Sequence, residues 1–148
     1  MSEEASSKGA ASIVVQRRIE WSDTDASGAW HNSAAFRFLE VAETALLDRL
    51  GILQEVYGRL PRVHVEADFT KALWHRDVVD ISLAVAEVGR SSIAYDVEIT
   101  KDGETCAKAR SVAVLLDGAG GAPVRWPAEY RRLLETSGPQ AGERLTED

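Results

Sequence analysis

The run Asp23-Thr24-Asp25-Ala26-Ser27-Gly28-Ala29-Trp30-His31-Asn32 sets carboxylates, a turn glycine, an imidazole and an amide just ahead of a long apolar stretch. A carboxylate held in such a loop can take a proton from water or attack an electrophilic carbon. An imidazole or amide beside it can donate to an oxygen that gains charge. The apolar stretch, predicted to be a helix, adds to this chemistry, because the first turn of a helix leaves backbone N–H groups unpaired and carries the positive end of its dipole. Asn32 and Ser33 stand at that opening, and Gly28 lets the loop turn tightly enough to aim a carboxylate at it. Taken alone, Asp23 and Asp25 also suit a solvated loop or a helix cap.

The elements on either side must hold these residues. Upstream, Ile13, Val15, Ile19 and Trp21 alternate with Val14, Gln16, Arg18 and Glu20, the pattern of a half-buried strand in which Arg17 is the one break. Downstream, Phe36, Phe38, Leu39, Val41, Ala42, Ala45, Leu46, Leu47 and Leu50 make a helix with little polar surface, which must be wrapped by other structure to form the core. Gly51 stops it, and Ile52 to Gly58 forms a short further turn or helix before Pro61. Alternation then returns at Val63, Val65, Ala67 and Phe69, at Ile81, Leu83 and Val85, and at Ile93, Tyr95, Val97 and Ile99. The last of these strands leads through Asp102-Gly103, a hairpin signal, into Cys106 to Leu116. Gly118 to Gly121 reads as a loop, since no longer glycine pattern joins a strand directly to a helix there. A short helix follows Trp126-Pro127 and runs to about Leu134.

The 148 residues fit one domain, residues 12–136, with residues 1–11 and 137–148 too poor in large apolar groups to be ordered and therefore expected to be mobile. A net charge of −7 argues against nucleic acid or an anionic membrane as the main partner. No apolar run reaches the roughly 18 residues needed to cross a bilayer. The polar N-terminus does not read as a secretory signal, so a cytoplasmic protein is expected. The single Cys106 excludes an internal disulfide and reads as a small buried strand residue in a reducing compartment. His31, His64 and His75 show no paired-ligand spacing, so no metal site is expected, and no serine lies in a G-x-S-x-G elbow. Strand, long helix, four more antiparallel strands and a short C-terminal helix make an α+β fold, a curved sheet around one buried helix. Its two exposed edges invite pairing between copies, and a homodimer that assembles into a dimer of dimers is expected.

In this order the residues resemble the hot-dog fold, and in particular the acyl-CoA thioesterases of the 4-hydroxybenzoyl-CoA thioesterase type, from Ile13 to Leu134. The resemblance rests on Asp23-Thr24-Asp25-Ala26 with Gly28, on Phe38-Leu39-Glu40 in the helix, on Leu50-Gly51 at its end, and on Asp68-Phe69 followed by Ala72-Leu73 and Asp77. It implies a five-stranded antiparallel sheet around one central helix and hydrolysis of a thioester to a free acid and CoA, without a metal or redox cofactor. It also implies that Asp25, the second aspartate of the D-T-D run, is the catalytic carboxylate. Asp25 then either attacks the thioester to form a mixed anhydride or activates a water. The chain departs from the family pattern at the histidine often found seven residues after that aspartate, because Asn32 holds the position and His31 precedes it. Ala35 stands where a tyrosine is usual, which would leave a roomier acyl pocket.

Within that resemblance His31 is a candidate to bond the thioester carbonyl or to orient Asp25. Asn32 is a candidate donor or N-cap, with Gly28 and Ser33 completing the oxyanion loop. Some hot-dog enzymes place their acid on the central helix, which makes Glu40 a second catalytic candidate, with Arg37 three residues earlier as its ion-pair partner. Coenzyme A phosphates need cationic or N–H donors, for which Arg90-Ser91-Ser92 at a turn, Lys71, Arg76 and Arg110 are candidates. The acyl carrier is CoA or an acyl carrier protein, and a dimer that binds acyl groups without turnover is a third reading.

Overall fold

The structure is a computed structural model that describes residues 8–146. Its elements are β1 (Ser12–Arg18), a 3-10 turn (Trp21–Asp23), α1 (Asn32–Arg49), α2 (Leu53–Val56), β2 (Arg62–Phe69), β3 (Val78–Val88), β4 (Ser92–Lys101), β5 (Glu104–Val114) and α3 (Ala128–Thr136). The strands form one sheet in the order β1-β3-β4-β5-β2, every neighbouring pair antiparallel. Alternation sets the register: Ile81, Leu83 and Val85 of β3 and Ile93, Tyr95, Val97 and Ile99 of β4 are buried on one face. Asp102 at φ 52° and Gly103 at φ 80° supply the two left-handed positions that a tight β4–β5 turn requires. Cys106 is buried in β5 as expected.

α1 packs across the sheet against β1 and β3. Its buried side carries Ala34, Ala35, Phe38, Leu39, Ala42 and Leu46. Each fully buried leucine contributes about 1.5–3 kcal/mol, so this face fixes the helix on the sheet. The helix is not wrapped all round. Ser33, Arg37, Glu40, Thr44 and Asp48, at helical spacing, leave one exposed face. A five-stranded antiparallel sheet around one long helix, with a short C-terminal helix, is the hot-dog architecture that the resemblance implied.

Other expectations change. Trp21 leaves the β1 alternation and is 74% exposed, because β1 ends at Arg18 and the 3-10 turn re-aims the side chain. The alternation at Val63, Val65, Ala67 and Phe69 predicts one buried face, yet in the single chain β2 is exposed over most of its length, Val63 at 59%, because α1 packs chiefly against β1 and β3.

Where they are described, both ends are hydrogen-bonded to the domain. Lys8 N–H donates to Thr136 O, and Ala11, fully buried, donates to Leu134 O at 2.9 Å. Residues 138–145 run parallel to β1, with Ser12 N–H donating to Gly138 O, Gln140 N–H to Ser12 O, Gln16 N–H to Glu143 O and Leu145 N–H to Gln16 Oε1. Arg17 pairs with Glu143 at 2.9 Å. Backbone hydrogen bonds rather than large apolar side chains hold these segments, which is why composition pointed the other way. The rest of the two ends lies outside the described residues. Among those described, no helix is long and apolar enough to cross a membrane.

Candidate active site

The chain enters the site through the turn after β1. Asp23, at 2% exposure, accepts the Glu20 N–H on Oδ2 at 2.7 Å and pairs through Oδ1 with Arg37 of α1. Its carbonyl accepts the His31 N–H at 2.6 Å. One buried residue thus ties the start of the loop, its end and the helix together. Arg37 was expected to pair with Glu40. It pairs with Asp23 instead, because a carboxylate removed from water attracts a guanidinium more strongly than an exposed one. Thr24 bridges to Trp30 and Ala29 to Trp74, which keeps the loop narrow. Gly28, at φ +88°, turns under the Trp74 ring, where a Cβ would meet Cζ3 at 3.7 Å.

Asp25 projects from this frame into the open. Its N–H donates to Ala29 O at 3.0 Å, and its Oδ1 accepts the Ser27 hydroxyl at 2.5 Å and the Ser27 N–H at 2.9 Å. Those two bonds, the hydroxyl first, hold its pKa below the ordinary carboxylate value, and the nearby His31 acts in the same direction. Asp25 is therefore ionised at neutral pH, with Oδ1 fixed and Oδ2 making no hydrogen bond among the described residues.

α1 begins at Asn32, and its N-cap is His31 rather than Asn32. The His31 Nδ1 accepts the Ser33 N–H at 3.1 Å and lies 2.9 Å from Ser33 Oγ, doing the work of the usual short acceptor. In the neutral ring the proton is then on Nε2, free to donate outward. Ser33 spends its N–H on this cap and Ala34 gives its own to His31 O, so of Asn32 and Ser33 only the Asn32 N–H lacks an acceptor among the described residues. Of the two residues expected at the oxyanion loop, Asn32 is therefore the one whose N–H is left unengaged among the described residues.

Glu40 does not join this cluster. It is exposed, about 12 Å along the helix axis from Asn32, and lies 3.9 Å from Arg62, which pairs more closely with the buried Glu43 at 2.9 Å. The phosphate candidates fall in separate places. Lys71, on the segment that carries Trp74, is paired with Glu104, which raises its pKa. Arg76, nearby, has a left-handed backbone (φ 78°) that lets its N–H donate to Ile19 O, and its side chain has no ion pair among the described residues. Arg90 and Ser91 form the β3–β4 turn and Ser92 opens β4, about 33 Å of strand away from Val78, the β3 residue that pairs with Arg18. Arg110 is held by Asp96 at 3.0 Å on the sheet.

The grip of Ser27 on Asp25 and the Trp74 cover over Gly28 were missed from the sequence. The first had a signal, since aspartate with serine two residues on is a turn-forming pair, whereas nothing local marks Trp74. Among the described residues no three His, Cys, Asp or Glu side chains gather to hold a metal ion.

A sheet wrapped on one helix, with an ionised aspartate in the loop that opens that helix, defines a thioesterase-type hydrolase scaffold. Residues 19–134 match the model of the thioesterase-like superfamily, and the chain belongs to that family. A 1,4-dihydroxy-2-naphthoyl-CoA hydrolase of Synechococcus elongatus is 27% identical over 113 residues, covering 72% of this chain and 83% of its own. Among solved structures, a 1,4-dihydroxy-2-naphthoyl-CoA thioesterase from Synechocystis is similar with a TM-score of 0.75 at 19% identity, over 83% of this chain and 95% of that one. A thioesterase from Thermus thermophilus, complexed with coenzyme A and zinc, is similar with a TM-score of 0.72 at 25% identity, over 81% of this chain and 90% of that one. The first two of these carry the name of a naphthoyl-CoA thioester and the third is named only as a thioesterase.

Proposed function

We propose that this protein hydrolyses acyl-CoA thioesters, with Asp25 as the reacting carboxylate and the Asn32 N–H, at the start of α1, as the oxyanion donor. The observation that carries the reading is Asp25 itself. It is ionised, fixed through Oδ1 by Ser27, and free at Oδ2 beside a helix opening. In one route an Asp25 oxygen adds to the thioester carbonyl, the C–S bond breaks to release the CoA thiolate, and water then cleaves the mixed anhydride. In the other, Asp25 takes a proton from water as the hydroxide adds to the same carbon, and the C–S bond then breaks to release the CoA thiolate, which takes up that proton. His31 Nε2–H can donate to the carbonyl oxygen in both. Trapping with hydroxylamine during turnover separates the routes, since only the anhydride yields an aspartyl hydroxamate.

The working unit is a homodimer, and dimers pair further. What supports this is β2, a free edge whose Val63, Val65 and Phe69 remain at least 36% exposed in one chain. A lone buried Cys106 without a disulfide suits a reducing cytoplasm.

The test is free-thiol release from short, long, branched and aromatic acyl-CoAs by wild type and Asp25→Asn. The variant should fold and lose about 10²–10⁴ in turnover, the range for a lost positioned base. Near-normal turnover in folded Asp25→Asn would remove Asp25 from the chemistry. Hydrolysis confined to carrier-protein thioesters would change the substrate class.

A further inference from the structure

The turn that carries Trp74 ends on a backbone that an arginine adopts only under strain. Arg76 lies at φ 78°, where a Cβ crowds the neighbouring carbonyl and a glycine would sit freely. Its N–H donates to Ile19 O at 2.8 Å, and the Asp77 N–H donates to Trp74 O at 3.0 Å, which closes the turn onto the end of β1. A glycine would make the same bonds. The Arg76 guanidinium does not offset the strain within the chain, because it is exposed and has no hydrogen bond or ion pair among the described residues. A strained residue of this kind points to a task for its side chain outside the fold.

Two neighbours suggest the task. Arg18, the last residue of β1, pairs with Val78, two residues beyond Arg76, so the two arginine Cα atoms lie about 9 Å apart, close enough for their side chains to share an anion. Arg18 has no ion pair among the described residues either. Trp21, 74% exposed, meets the ring of His75 edge-on at 4.9 Å, and His75 directly precedes Arg76. The indole is thus held by a neighbour and open to a flat partner. The carboxylates close by do not cancel the charge, since Asp23 is held by Arg37, Asp77 by Lys101 at 3.0 Å, and Glu20 is solvated.

We propose that Trp21, Arg18 and Arg76 seat an adenine nucleotide, the phosphorylated end of the CoA substrate, with the purine on the indole and the phosphates on the two guanidiniums. This seat presupposes an acyl-CoA substrate. Purines stack on aromatic faces, and the guanidinium fork matches phosphate oxygens. A bare phosphate would use only the arginines and a hydrocarbon only the tryptophan, whereas a nucleotide uses both. The position suits a long substrate, because Trp74, about 7 Å of chain before Arg76, covers Gly28 of the Asp25 loop.

The test titrates the full chain with adenosine 3′,5′-bisphosphate, adenosine and pyrophosphate by calorimetry, in wild type, Arg76→Gly, Trp21→Ala and Asp25→Asn. The bisphosphate should bind at least about tenfold more tightly than either fragment, as expected when stacking and charge act together, and equally well in Asp25→Asn. Arg76→Gly keeps the turn and relieves its backbone, so it should melt no lower than wild type and yet lose at least about fivefold in bisphosphate affinity. Trp21→Ala should narrow the preference for the bisphosphate over pyrophosphate. The bisphosphate should also inhibit acyl-CoA hydrolysis competitively. Binding no tighter than that of pyrophosphate, or undiminished in Arg76→Gly, would overturn the proposal, and binding without inhibition would give the seat to another nucleotide and overturn it as well. Acyl-CoA hydrolysis without bisphosphate binding would remove the seat and leave Asp25 its role. Arg76-dependent binding of the bisphosphate and of acyl-CoA, with no hydrolysis, would support the seat and remove the hydrolytic reading.

Discussion

Asp23→Ala removes the buried anchor on which the Asp25 loop closes. The bond from the Glu20 N–H to its carboxylate, at 2.7 Å and out of water, is a charge-assisted bond worth about 1.5–3 kcal/mol. The ion pair with Arg37 adds only about 0.2–1 kcal/mol, because the Arg37 side chain is 53% exposed and solvent screens it. The sum, about 2–4 kcal/mol, corresponds to a melting temperature lower by about 6–12 °C in a domain of this size. Arg37→Ala should cost no more than the smaller share, and Asp23→Asn, which keeps an acceptor for Glu20, should fall between the two. The cycle of Asp23→Ala, Arg37→Ala and the double variant, read by thermal and urea unfolding, isolates the ion pair from the backbone bond. Asp25 follows Asp23 by two residues in the same loop, so kcat/KM of folded Asp23→Ala should drop at least about tenfold, as small displacements of a reacting group do. A melting point within about 2 °C of wild type would refute the anchor, given the slope used here. A loss in Arg37→Ala as large as that in Asp23→Ala would show that the ion pair, not the backbone bond, holds the loop.

Ser27→Ala removes the hydroxyl that contributes most to lowering the Asp25 pKa, so that pKa rises towards the ordinary carboxylate value. Activity that needs ionised Asp25 is present above its pKa and lost below it, so the acidic limb of kcat/KM against pH should move to higher pH in the variant. An unmoved limb would mean that Asp25 does not set it. His31→Ala deletes the N-cap acceptor of α1 and should cost about 1 kcal/mol in urea unfolding, with His31→Asn restoring that stability but not the Nε2–H donor. Recovery of full turnover in His31→Asn would confine His31 to a structural part. Val63→Glu places a charge on the exposed β2 edge and should shift sedimentation from dimer to monomer while the circular dichroism of the chain is kept.

The strands and α1 were legible because their signals repeat. The β4 residues Ile93, Tyr95, Val97 and Ile99 all fall on one buried face, and Asp102-Gly103 takes the two left-handed positions that its chemistry allows. What escaped depends on groups that meet only after folding. Arg37 and Glu40 share a helix face, which made them look like partners, but Asp23 arrives from outside the helix and its burial wins the guanidinium. The N-cap moved from Asn32 to His31 because cap preference ranks residue types and says nothing of an imidazole nitrogen turned back onto the Ser33 N–H. Residues 138–145 looked idle because composition counts apolar side chains, whereas what holds them is the unused hydrogen-bonding edge of β1. The phosphate candidates were grouped by charge alone, and β3 carries Arg90 to the opposite end of the sheet from Arg76.

The segment laid along β1 also bears on how copies of the chain could add to one another. A sheet with two bare edges behaves as a bifunctional monomer, able to add copies at both ends and to grow into a fibre. Here residues 138–145 occupy the β1 edge from within the same chain, and among the described residues β2 is the edge left unpaired. Two chains that join through β2 use up each other's single valence, so growth by strand addition terminates at two, and any larger assembly has to be built through other surfaces.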